Sequence, residues 1–268
     1  MRLITRDTVN STMDEARQLV ASGEAVPFAV SAAVQTGGRG RHGRQWASPK
    51  GGVWLTVVHH LPHGDRRVGT LPLAVGLAVA RRIERICRLP ERTVQLKWPN
   101  DLLVSGSKCA GVLCEREIHP NADADDPMGS TVYVGVGINA SIDPDRLPSG
   151  LRYPATSLSS MASDPVDPTA LAAEIAHTLS LESLLIDATE VIDGVRERLA
   201  MLGERVCFER SSGTQEEAKL IGIDLNGAVV LEDDLGEQVS HHAGEIRGLR
   251  VVGPARPIPR ERGSGDVE

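Results

Sequence analysis

Cysteine is scarce in this chain of 268 residues, and the four present, Cys87, Cys109, Cys114 and Cys207, are scattered without C-x-x-C spacing. That pattern suggests neither a disulfide framework nor a zinc site, so the cysteines read as reduced thiols. No apolar signal segment follows Met1, and no run approaches the ~20 apolar residues that span a bilayer. The expectation is a cytoplasmic protein with no membrane partner. Positive charge is also in short supply, 29 Lys and Arg against 36 Asp and Glu, which leaves a net charge of −7. A sequence-independent grip on nucleic acid over the whole surface is thereby disfavoured. Two phosphate-binding signatures are missing too, the G-x-x-x-x-G-K-[ST] loop and the strand-then-helix G-x-G-x-x-G fingerprint.

What is present is a chain 41% hydrophobic, able to bury a substantial core, with a length that suits one large domain and a smaller companion. Against its acidic background stands one local positive feature, Gly37-Gly38-Arg39-Gly40-Arg41-His42-Gly43-Arg44-Gln45-Trp46, with four glycines and three arginines. Glycine lets a backbone approach a ligand closely, and arginine grips phosphate or carboxylate oxygens through paired, charge-assisted hydrogen bonds. The stretch reads as an anion-binding loop for a small ligand such as a nucleotide phosphate.

Ser11 or Thr12 caps a helix that begins with Asp14 and Glu15 and closes at Gly23. Phe28 to Gln35 reads as a strand leading into the loop, and Gly51 to Val58 as a strand leading out. Leu71 to Ile86 is apolar nearly all round until its basic end, as in a helix buried against a sheet. Val94 to Trp98 is a short strand stopped by Pro99. Leu102 to Val104 and Lys108 to Glu115 pair about a Ser105-Gly106-Ser107 turn, and 121 to 130 is an acidic loop. Thr131 to Ala140 is the strongest strand pattern, with Gly135 and Gly137 marking a close approach. Two or three helices are predicted between Ala155 and Leu202, one capped by Asp167 with Pro168 first in the helix. From Arg205 the pattern becomes short alternating strands, with a hairpin at Asn226-Gly227.

The ordered set Ser11-Thr12, the glycine-arginine loop, Lys97-Trp98-Pro99-Asn100-Asp101, Lys108-Cys109-Ala110-Gly111-Val112-Leu113 with Glu115, and Gly135-Val136-Gly137-Ile138-Asn139 resembles biotin protein ligases from about residue 7 to 250. The resemblance implies an α+β fold, with a central mixed sheet flanked by helices as in class II synthetases, over residues 1–202. A small Src-homology-3-like barrel over 203–252, assisting the second half-reaction, and a flexible tail over 253–268 would follow. It implies activation of biotin with ATP and Mg²⁺ to biotinyl-5′-AMP, then transfer to one lysine of the biotin carboxyl carrier domain of an acyl-CoA carboxylase. By the same resemblance, Ser11, Thr12, Gln35 and the backbone of Gly38, Arg39 and Gly40 would bind the ureido group of biotin. Gly111, Val112, Cys114 and Gly135 would line its chain, with Trp46 and Trp54 as apolar walls. Arg41 and Arg44 would face the phosphate and mixed anhydride, and Lys108 would bridge biotin carboxylate and α-phosphate. Asn139 would contact the nucleotide, and Asn100 and Asp101 would orient the incoming amine or, through Asp101, hold Mg²⁺. Cys109 and His42 stand where a larger aliphatic residue and an arginine are common.

The Ser-Thr pair begins about ten residues in, leaving no room for the winged-helix domain of some family members, so a ligase without DNA binding is expected. Monomer and homodimer remain open. A lipoate ligase or octanoyltransferase is the alternative within the fold, and a nucleic-acid-binding regulator the alternative outside it.

Overall fold

The computed structural model describes residues 1–61, 69–118, 129–146, 154–180 and 187–253. Most of the predicted acidic loop and the tail beyond Gly253 lie outside them. The chain opens on a strand that the sequence reading passes over. β1 (Arg2–Val9) exposes Arg2, Thr5, Arg6, Asp7 and Thr8 and buries only Ile4, so no period-2 pattern marks it. Its order comes from a partner, the parallel ladder to β2 (Phe28–Gln35), together with the Arg2–Glu24 and Arg6–Glu15 ion pairs, each at 2.8 Å. A sheet edge tolerates such polarity.

Between these strands lies α1 (Thr12–Ala21). Ser11 is extended and caps it by accepting from the Met13 N–H at 3.3 Å, while Asp14 and Glu15 occupy the first turn, where the helix dipole favours them. Beyond β2 the chain pairs antiparallel throughout: β3 (Val53–Leu61), β4 (Gln95–Lys97), β5 (Asp101–Val104), β6 (Ser107–Ile118) and β7 (Ser130–Ile138) complete a seven-stranded mixed sheet in the order β1-β2-β3-β7-β6-β5-β4. Ser105 and Gly106, both at positive φ (49° and 77°), make the tight turn predicted between β5 and β6.

α1 covers one face of this sheet through Met13 and Ala16, which pack with Ile4, Phe28, Val30, Val58 and Tyr133. The other face is covered by α2 (Leu71–Ile86) and α3 (Pro168–Thr178), and α4 (Ala188–Arg196) packs on α2; the last two are the helices expected in that region. α2 buries Leu73, Val75, Leu77, Val79 and Ile83, each worth roughly 1.5–3 kcal/mol when fully removed from water. Asp167 caps α3 by accepting from the Thr169 N–H at 2.8 Å.

The C-terminal strands β8 (Arg205–Arg210), β9 (Gln215–Ile223), β10 (Val229–Glu232), β11 (Gln238–His241) and β12 (Ile246–Val251) form an antiparallel sheet in the order β11-β10-β9-β8-β12. Among the described residues no ladder joins β11 to β12, and this five-stranded antiparallel sheet is consistent with the small Src-homology-3-like unit expected there. Its Asn226-Gly227 turn docks on the larger layer. The Trp98 indole donates to the Gly227 carbonyl at 2.9 Å, and Arg196 donates to the Ile223 carbonyl at 2.8 Å. A single apolar cluster runs from Leu77 and Leu96 through Val191 to Phe208 and Leu220.

One buried ion pair ties the helical side together. Arg198 meets Glu84 at 2.5 Å with both side chains under one-tenth exposed, and the same Glu84 oxygen accepts the Val94 N–H at 2.9 Å. Removing one member of such a pair strands a charge away from water. Glu84→Ala is therefore expected to lower unfolding free energy by about 3–5 kcal/mol, read from urea denaturation, whereas the double change Glu84→Leu with Arg198→Met should recover most of it.

Candidate functional site

Strand alternation shapes the site. On β6 and β7, Gly111, Leu113, Gly135 and Gly137 face the α1 side of the sheet, while Val112, Val134 and Val136 sit in the core on the other side. Three glycines on one face leave the floor of a cavity of about 310 Å³, which is closed by the start of α1, the glycine-arginine loop, the β5–β6 hairpin and β12.

One end of the cavity is polar and buried. Gln35 Oε1 accepts from the Thr12 backbone N–H at 2.8 Å and from the Thr12 hydroxyl at 3.1 Å, and Thr12 Oγ1 lies 2.9 Å from Thr56 Oγ1. Ser11 and Thr12 are 3% and 4% exposed, which places hydroxyls where water does not compete. Met13 packs over Gly135, where a Cβ would come within 2.9 Å of its terminal methyl.

The other end is cationic. Lys108 Nζ lies 2.5 Å from Asp101 Oδ1, and Lys97 Nζ lies 3.5 Å from Asp101 Oδ2. Lys108 also stacks over the Trp46 ring at 4.7 Å, a cation–π contact. The Trp46 indole lies flat on the floor: a Cβ at Gly137 would meet it at 3.0 Å and one at Gly111 at 3.1 Å. Asn139 donates to the Thr156 carbonyl at 3.0 Å, and Asn100 donates to the Val112 carbonyl at 2.7 Å; both line the wall as backbone ties.

The glycine-arginine loop is a small hairpin. The Trp46 N–H donates to the Gly38 carbonyl at 2.9 Å and the Gly40 N–H to the Arg44 carbonyl at 2.7 Å, with a tight turn at Arg41–Gly43 in which His42 takes φ 57°. The arginines diverge. Arg39 grips Asp14 through two bonds of 2.8 and 2.5 Å, which holds the Asp14 carboxyl below its ordinary pKa and raises that of Arg39. Arg41 donates to the Ala243 carbonyl at 2.7 Å, and burial lowers its pKa. Burial, with Arg41 and Arg44 close by, pushes the His42 imidazole down as well, toward the neutral form.

The comparisons with known proteins bear on this arrangement. A family model described as the Biotin/lipoate A/B protein ligase family matches residues 6–139, which is β1 through the end of β7. The chain belongs to that family. Among curated members of the Biotin/lipoate A/B family, it is 30% identical over 241 residues to the bifunctional ligase/repressor BirA of Bacillus subtilis, covering 87% of this chain and 70% of that one. It is 32% identical over 222 residues to the biotin--[acetyl-CoA-carboxylase] ligase of Mycobacterium tuberculosis, covering 81% and 77%. Among solved structures, the biotin protein ligase of Aquifex aeolicus in complex with biotin and ATP superposes with a TM-score of 0.74 at 26% identity, covering 93% of this chain and 99% of that one.

Of the residues singled out from this Biotin/lipoate A/B family sequence, Ser11, Thr12, Gln35, Arg39, Gly40, Arg41, Arg44 and Trp46 line the single cavity described above. So do Asn100, Asp101, Lys108, Gly111, Gly135 and Asn139, and Val112 as well, although its side chain belongs to the core on the other face of β6. Gly38 stands behind the wall, packed against Ser48. Two expected wall residues lie elsewhere. Trp54 is 1% exposed, covered by Gly52, and donates to the Pro49 carbonyl at 3.0 Å. Cys114 falls on the opposite face of β6 because strand side chains alternate, and burial raises its thiol to about 12. Cys109 is fully buried beneath the hairpin.

The expected Mg²⁺ role of Asp101 does not fit its surroundings. Both carboxylate oxygens face ammonium groups, and among the described residues no cluster of three or more His, Cys, Asp or Glu could hold a metal. Sequence reasoning missed Met13, Thr56 and Lys97, although Lys97 begins a motif it singled out. It also missed Arg247 of β12, for which no local signal exists.

The floor yields a direct test. Gly137→Ala should displace the Trp46 ring, costing about 1–3 kcal/mol of overpacking, and the near-UV circular dichroism of a rigidly seated indole should weaken while the far-UV signal holds.

Proposed function

We infer that this protein is a biotin protein ligase that joins biotin to ATP in the cavity, releases pyrophosphate, and passes the biotinyl group to a lysine of a biotin carboxyl carrier domain. The observation that carries the reading is the buried polar end built from Ser11, Thr12 and Gln35. A ureido ring offers a carbonyl and two N–H groups to such a site. The dithiolane ring of lipoate, or an octanoyl chain, offers none, and would bury the hydrogen-bonding capacity left over at this end unmet, at about 1–3 kcal/mol for each such atom. This favours biotin over lipoate within the family.

The first step is in-line attack of a biotin carboxylate oxygen on the α-phosphorus, forming one P–O bond as the bond to pyrophosphate breaks. No proton is transferred, so the protein's contribution is alignment and cationic stabilisation. Lys108, steadied by Asp101 and the Trp46 face, supplies a compact charge near the glycine floor. Arg41 and Arg44 sit where phosphate oxygens would enter, and Mg²⁺ would arrive with the triphosphate as part of the substrate. In the second step the carrier lysine attacks the anhydride carbonyl and AMP departs. Asp101, facing the cavity between two lysines, is placed to orient the entering amine. β12 contributes Arg247 to the same wall, so the C-terminal sheet bounds the cavity in which adenylation is proposed. A cytoplasmic location accords with these reactants.

Biotin-dependent exchange of labelled pyrophosphate into ATP tests the reading, and exchange supported by lipoate and not by biotin would overturn it. Lys108→Ala is expected to slow single-turnover adenylation by about 10²–10³-fold while calorimetric biotin affinity stays near the wild-type value. Lys108→Arg should rescue only in part, because a guanidinium is too wide to stand between two oxygens.

A further inference from the structure

We propose that Ser48 is a positioning residue for ligand recognition: its hydroxyl anchors the Nε2 side of the Gln35 amide opposite the Thr12 N–H, and so helps to fix the polarity of the ureido end of the cavity. This rests on the ligase reading above. Ser48 lies at the base of the loop, 4% exposed, where its carbonyl accepts the Gln35 N–H at 3.1 Å. Its Oγ donates to the Trp46 carbonyl at 3.1 Å and lies 2.9 Å from Gln35 Nε2.

A serine hydroxyl has one proton. With that proton on the Trp46 carbonyl, Ser48 Oγ can only accept from Gln35, so the atom facing it must be Nε2. The other side of the amide gives the same answer independently. The Thr12 backbone N–H can only donate, and it points at Gln35 Oε1 from 2.8 Å. Thr12 Oγ1 donates to that oxygen at 3.1 Å, which leaves Thr56 as the donor across the 2.9 Å contact between the two threonine hydroxyls.

The hydrogen bonds therefore all run one way, from Thr56 through Thr12 and Gln35 to Ser48 and the Trp46 carbonyl, and bonds in such a chain strengthen one another. What remains for a ligand follows from counting protons and lone pairs: the second Nε2 proton of Gln35 as donor and a lone pair of Thr12 Oγ1 as acceptor. A cyclic urea, with one carbonyl and two N–H groups, can meet both. Gly38 shows how tightly Ser48 is seated, since a Cβ there would fall 2.5 Å from Ser48 Oγ and 2.6 Å from the Trp46 carbonyl.

Ser48→Ala removes the acceptor that holds Nε2 and leaves the amide held from the Thr12 side alone, with Nε2 no longer fixed in place. Biotin Kd from calorimetry is expected to rise about tenfold, the order of one lost hydrogen bond, while the KM for ATP and kcat at saturating biotin stay within about twofold. Ser48→Thr, which keeps the hydroxyl, should restore biotin affinity. In a Gln35→Ala background, Ser48→Ala should add less than about twofold, because Ser48 acts through Gln35. Full additivity, or unchanged biotin affinity in folded S48A, would overturn the inference. Should S48A fail to fold by circular dichroism, Ser48→Cys, a weak donor and acceptor, makes the same comparison. Wild-type protein that neither binds biotin nor exchanges pyrophosphate would overturn the ligase reading and this inference together; wild-type exchange with unchanged S48A affinity overturns this inference alone.

Discussion

Three missing side chains make the site possible. Gly111, Gly135 and Gly137 lie on one face of two neighbouring central strands, and a Cβ at any of them would press on Trp46 or Met13. Glycine weakens a strand, because it loses more freedom on ordering and contributes no packing. β6 and β7 tolerate it because they are long, are paired on both sides, and carry Val112, Val134 and Val136 into the core on their other face. One sheet thus serves as packed core below and as ligand floor above.

Electrostatics constrain the rest. Clustering Lys97, Lys108, Arg41 and Arg44 at one end of a small cavity is unfavourable unless opposite charge or hydrogen-bond acceptors intervene. The fold supplies Asp101 between the two lysines, the Ala243 carbonyl for Arg41, and Asp14 to draw Arg39 away toward α1. The cluster keeps its positive character for an anion while Lys97, Lys108 and Arg41 are held in place. In a chain of net charge −7 this cluster stands out as a local positive feature.

The loop links the two ends. Its base pairs Gln35 with Ser48, its limbs pair Arg39 with Gln45, and its tip reaches the C-terminal sheet through Arg41. The polar and the cationic ends of the cavity therefore depend on one hairpin, whose fold requires glycine where Ser48 crowds Gly38 and where Gly43 turns at φ 69°.

Local chemistry was legible in the sequence. The caps at Ser11 and Asp167, the apolar stretch of α2, the turns at Ser105-Gly106 and Asn226-Gly227, and the strand entering and leaving the loop all follow from interactions between residues close in the chain. Motif order placed most cavity residues, because Ser11-Thr12, the arginine loop and Lys108 each sit at the end or edge of a recognisable element. What depended on distant partners was not legible. β1 has no pattern of its own and exists through its ladder to β2. Cys114 and Trp54 were assigned to the wall by motif, yet strand alternation and the covering loop remove them from it. Arg247 reaches the cavity across some two hundred residues of chain from Arg41, and Asp101 proved to be the partner of two lysines. By itself, the sequence determined most of the elements, their caps and turns, and many of the residues that line the cavity. Tertiary structure alone decided which faces those residues occupy and which charges they meet, because burial and pairing are set by neighbours that no local spacing encodes.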